Sequence, residues 1–138
     1  MRTNSDYPKT KVPGCVSLVH IRAALARSRL KLKIVNGRNI HVNNELRGCS
    51  GFFVAVEPSL CASCTTVVYF NTERSCYGPM SRQFLYRLAD STNDYSGKGP
   101  NRYCDDNADA LVAAVKPLFD GYFCGIPCRT YWGPDVEL

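Results

Sequence analysis

Leu30–Val42, LKLKIVNGRNIHV, carries the clearest local signal in the chain, and the architecture turns on it. Apolar and polar residues alternate on both sides of Asn36-Gly37, the pattern of a β-hairpin. A two-residue Asn-Gly loop pairs Leu32 with His41 and Lys33 with Ile40, which mixes the two faces. A three-residue loop, Val35-Asn36-Gly37 with Gly37 left-handed in a bulge, pairs Leu32 with Ile40 and Leu30 with Val42. It keeps one face apolar and sets Lys31 opposite His41 and Lys33 opposite Asn39. This second register is the expected one.

On the N-terminal side, Ser17 can cap a helix running to about Leu30, with Leu18, Ile21 and Leu25 as an apolar stripe. Arg22 and Arg29 lie beside one another at its edge. Residues 1–14 read as an arm broken by Pro8 and Pro13. GFFVAVE (51–57) is apolar on both faces, which predicts a central strand, and TTVVYF (65–70) predicts another. Met80, Phe84, Leu85 and Leu88 have helical spacing between Pro79 and Asp90. STNDYSGKGPNRY (91–103) reads as a polar loop, followed by a helix over 105–116 that Pro117 ends. GYF and RTYW, on either side of Gly125-Ile126-Pro127, read as short closing strands. The expectation is a single α+β domain over 15–138: an antiparallel sheet with two or three helices.

Eight cysteines stand at Cys15, Cys49, Cys61, Cys64, Cys76, Cys104, Cys124 and Cys128. An even, widely spread set in a small domain fits four disulfides and an oxidising compartment. Two other readings compete. Cys61-x2-Cys64 with Cys124-x3-Cys128 has the spacing of a four-thiolate structural zinc site. FFVAVEPSLCASC resembles the strand and Cys-x-x-Cys corner of zinc nucleobase deaminases, whose chemistry also needs a His-x-Glu motif. Here His41 and Glu45 are separated by three residues, so that motif is missing. Cys61-x2-Cys64-x11-Cys76, after an Arg/Ala-rich helix, resembles the cysteine pattern of ginkbilobin-type plant antifungal domains. The interval from Cys49 and the final cysteine depart from that pattern, and no residue role is carried over.

Charge is unevenly spread. Residues 1–44 carry nine basic and one acidic residue, or +8; residues 45–138 carry eight basic and eleven acidic, or −3. Such a field attracts RNA, anionic glycans, lipid headgroups or an acidic host protein. The expected binding surface is a basic helix–hairpin: Arg22, Arg29, Lys31, Lys33, Arg38 and His41. Tyr95 and Tyr103, in the polar loop, are candidates to stack on a base or sugar.

For catalysis, His20, His41 and Lys31 supply an acid, a base and a cation, the minimum for metal-independent cleavage of RNA. No Gly-x-Ser-x-Gly and no phosphate-cradling glycine loop is present. No apolar run approaches the ~20 residues that span a bilayer, and MRTNSDYPKTKVPG contains no secretory apolar core. The leading expectation is a mature secreted cysteine-rich binding protein of effector, toxin or defence type, needing no cofactor. The alternatives are a ribonuclease-like phosphodiesterase and an intracellular zinc-stabilised interaction protein.

Overall fold

The computed structural model describes residues 10–11, 14–56, 66–73, 83–95 and 100–119. Within it, Leu30–Val42 does not turn back at Asn36-Gly37. Leu32–Val42 is one continuous strand, β2, and it pairs antiparallel with β3 (Glu45–Ala55) along its length, from Leu32↔Ala55 to Val42↔Glu45. Asn36 and Gly37 are a bulge instead: Val35 faces Phe52 and Arg38 faces Ser50, so two residues oppose one. The left-handed residue there is Asn36, at φ 53°, and not Gly37. The reversal comes seven residues later, at Asn43 and Asn44, with φ of 52° and 66°. Two successive left-handed residues make the tight turn whose twist suits a hairpin, and asparagine tolerates that conformation.

The bulge explains how both alternations coexist in one strand. Leu32 and Ile34 point to the helix-covered face of the sheet and pack into its core. One extra residue then shifts the phase, so that Asn39 also reaches that side and accepts a 3.1 Å hydrogen bond from the Leu18 N–H. Gly37 sits directly beneath the helix; a Cβ there would lie 2.7 Å from Ile34 Cγ2 and 3.1 Å from Leu18 Cδ2.

Strands β4 (Val67–Asn71), β5 (Gln83–Ala89) and β6 (Arg102–Asp105) follow β3 as an antiparallel series, each paired with the one before it. β3 is central, as its two-sided apolar pattern requires. β1, only Thr10–Lys11, pairs parallel with the start of β3, so part of the expected arm joins the sheet. The helix expected over Pro79–Asp90 is corrected to the strand β5. Phe84, Leu85 and Leu88 satisfy helical spacing, but Phe84 and Tyr86 also alternate with Leu85 and Arg87. Pairing on both sides, with β4 and β6, settles the ambiguity. β6 itself occupies what reads in the sequence as the end of a loop.

Helix α1 (Leu18–Ser28) and helix α2 (Ala108–Val115) pack side by side on one face of the sheet, α1 over β2 and β3, α2 over β5 and β6. At the start of α1 the Ser17 N–H donates to His20 Nδ1 at 3.0 Å, and at its end Arg29 adopts φ 56°. Asn107 caps α2 by accepting from the Ala110 N–H at 2.8 Å, and Lys116–Phe119 continues as a short 3₁₀ turn around Pro117. The core between helices and sheet holds Ile21, Leu25, Phe53, Val68, Phe70, Phe84, Leu111, Val112 and Val115, with Phe53 stacked on Phe70 at 4.5 Å. Thr72 ties its rim: its hydroxyl accepts from the Cys49 N–H at 2.8 Å and donates to the Val16 carbonyl at 3.0 Å.

The expected disulfide framework is not formed among the described residues, where Cys49 and Cys104 are free thiols. Cys61, Cys64, Cys76, Cys124 and Cys128 lie outside the described residues, as do the expected closing strands. No described helix is long and apolar enough to cross a membrane.

Candidate anion-binding surfaces

The residues of the expected basic surface meet along one edge of the sheet. Among the described residues β2 pairs only with β3, which makes it an edge strand of the described sheet. Lys33 and Arg38 extend from it opposite the helices, and Lys31 precedes it; all three are exposed. On α1 the side facing α2 is marked by Arg27, which reaches Asp109 at 2.9 Å. Arg22 stands on the opposite side of that helix, and Arg29 is its left-handed C-cap, just before Lys31; both are exposed. The five cations lie on α1, on β2 and on the link between them. None of them forms an ion pair with a described acid, whereas Arg27 and Arg47 do. His41 is exposed near the far end of β2.

The catalytic trio is not brought together. With the hairpin replaced by one strand, Lys31 and His41 are ten residues apart along extended chain, roughly 30 Å at ~3.3 Å per residue. His20 serves the helix start: its Nδ1 accepts the Ser17 N–H, which places its ring proton on Nε2. It lines a groove of about 340 Å³ between α1 and the start of α2, with Cys15, Arg27 and Asp106. Among the described residues no group of three or more His, Cys, Asp or Glu is placed to hold a metal ion. Burial pushes the Cys49 thiol up to about 11 and the Cys104 thiol up to about 12, so both are protonated at neutral pH and neither is a ready nucleophile.

The face of the sheet away from the helices holds a second arrangement. Phe52, Tyr69 and Arg87 stand in one cross-strand row on β3, β4 and β5. The Arg87 guanidinium lies 4.3 Å from the centre of the Tyr69 ring, and Arg87 is only 5% exposed. Tyr95, in the turn after β5, leans its ring on Phe52 at 5.1 Å and on Tyr69 at 6.1 Å, and accepts from Arg87 Nη2 through its carbonyl. Arg38 lies over the same ring, 5.5 Å from its centre. The turn is also anchored to the bulge, where Asn36 Nδ2 donates to the Thr92 carbonyl at 2.8 Å. Sequence patterning singles out Arg38 and Tyr95 but not Arg87, Tyr69 or Phe52. The available signal is an arginine within the apolar run FLYRLA, which helical spacing obscures.

Comparison with protein-family models, curated proteins and solved structures gives no match.

Proposed function

We propose that this chain is a binding protein that captures a polyanion along the β2 edge. The observation that carries the reading is the set of five exposed cations, Arg22, Arg29, Lys31, Lys33 and Arg38, on α1, on β2 and on the link between them, without a described acidic partner. Cations along an extended edge with no described acidic partner suit a linear array of negative charge, since each neutralised phosphate or sulfate releases a counterion. Charge on an edge strand also deters pairing with other strands, so binding itself is the discriminating measurement. Reversing Lys31 and Lys33 to glutamate should weaken binding to single-stranded RNA, heparin or anionic vesicles by about tenfold or more and flatten its salt dependence. Unchanged binding to all three overturns the assignment. The ligand that loses most identifies the partner class.

The fuller reading is a secreted, cysteine-rich effector, toxin or defence-type protein whose disulfides hold that edge rigid. Intact mass with and without reductant tests it: four disulfides lower the mass by eight hydrogens. A zinc adduct under native conditions favours the intracellular alternative, with Cys61, Cys64, Cys124 and Cys128 as ligands.

A further inference from the structure

We infer that the sheet face opposite the helices contains a discrete site for a single oxyanion, a carboxylate or a phosphate group, built from Arg87, Tyr69 and Arg38. This site is a different surface feature from the β2 edge, although Arg38 borders both, and it does not rest on polyanion binding.

A buried cation with no counter-charge among the described residues lies at its centre. Arginine stays ionised in proteins, so burial cannot be relieved by losing the proton. Buried charges are normally paired or fully hydrogen-bonded, because desolvation costs several kcal/mol per ion. Arg87 is 5% exposed, forms no ion pair with a described acid, and is supported among the described residues by the Tyr69 ring and the Tyr95 carbonyl. Its Nε–H is buried and has no hydrogen-bond partner among them. An unmade bond to a charged donor is among the costliest defects a core can hold.

Two further groups bring donors to the same place. The Tyr69 hydroxyl accepts from Asn71 Nδ2 at 3.2 Å, which leaves its own O–H as a donor. The Arg87 guanidinium lies over the face of that same ring, 4.3 Å from its centre. Arg38 adds a second positive charge beside the Tyr95 ring, and it forms no ion pair with a described acid. Two guanidinium groups and a hydroxyl donor, beside the rings of Phe52 and Tyr95, favour a small anion with several acceptor oxygens. A lone apolar ligand leaves the Nε–H unsatisfied, and a cation is repelled. The Tyr95 carbonyl holds one Arg87 donor in the absence of ligand, so an entering oxyanion competes with the 91–95 turn for that guanidinium.

The test is thermal unfolding and titration calorimetry of the full chain with inorganic phosphate and, separately, acetate, against chloride at matched ionic strength. Wild type should show saturable binding of at least one anion and a rise in Tm. Tyr69→Phe, which removes one hydroxyl donor, and Arg38→Gln, which removes a positive charge, should each weaken it at least about fivefold, the equivalent of a net hydrogen bond of ~1 kcal/mol. Arg87→Met should abolish it. Absence of saturable binding in wild type, or wild-type affinity in both Tyr69→Phe and Arg38→Gln, overturns the site. Loss in Lys31→Glu/Lys33→Glu but retention in Tyr69→Phe and Arg38→Gln also overturns it, by moving the anion to the β2 edge. Phosphate and acetate arms distinguish a phosphoryl from a carboxylate ligand.

Discussion

The two faces of the sheet bury aromatic residues to a similar degree but treat ionisable groups in opposite ways. Beneath the helices, Phe53, Phe70 and Phe84 are joined by Cys49 and Cys104, whose thiols burial keeps protonated and neutral. On the other face, Phe52 and Tyr69 are joined by the buried guanidinium of Arg87. Cysteine adapts to a low dielectric by shifting its titration; arginine must be compensated by its surroundings. The helix face therefore reads as structure, and the charge on the other face, unmatched among the described residues, motivates the anion site proposed for it.

Truncating one phenylalanine on each face tests that contrast most strongly. Phe53→Ala should cost about 3–5 kcal/mol, because its stacked partner Phe70 is held between sheet and helices and cannot close the void. Phe52→Ala should cost at least about 1 kcal/mol less, since Tyr95 sits on a turn and can settle into the gap. Urea unfolding measures both, and equal losses would show the two faces to be equally rigid.

A smaller effect probes the hydrogen bonding that the helix face completes and that the Arg87 Nε–H lacks among the described residues. Thr72→Val keeps the shape but strands the Cys49 N–H and the Val16 carbonyl, for a loss of about 1–3 kcal/mol. A loss below about 0.5 kcal/mol, under the usual range for a hydrogen bond, would show that Thr72 does not fasten the segment before α1.

The smallest effect is alkaline. The ordinary thiol value is 9.0, and burial raises Cys49 to about 11 and Cys104 to about 12. The unfolded chain then releases these protons first, so both thiols contribute stability that is intact below pH 9 and declines as pH rises through 11 and 12. Replacing Cys49 by alanine should flatten that decline in a pH series of unfolding midpoints. An unchanged slope would mean that other groups control it.

Much of the fold is legible in the residues, and the departures share one cause. The capped helix at Ser17, the strands at 51–55 and 67–70, and the helix ended by Pro117 all follow from local pattern. Asn36-Gly37 misleads because a bulge and a hairpin use the same residue types, and only the partner strand distinguishes them. Asn43-Asn44 carries the actual turn with a weaker signal. FLYRLA fits period 2 and period 3.6 equally well over so short a run. The five cations of the β2 edge are legible as a charge run, although their geometry is not. The Arg87 cluster joins strands 18 residues apart, Tyr69 to Arg87, and Phe52 before them, so no local window contains it.

Composition and near-neighbour periodicity suffice for the α+β class, for the burial of the 51–55 strand and for the concentration of positive charge in the first third of the chain. None of these requires knowing which segments meet. Three outcomes do require it: which asparagine pair turns the chain, how far apart Lys31 and His41 end, and that Arg87 lies over the Tyr69 ring with its Nε–H unmet among the described residues. They follow from which strand pairs with which, and strand pairing is a long-range choice made by the whole sheet.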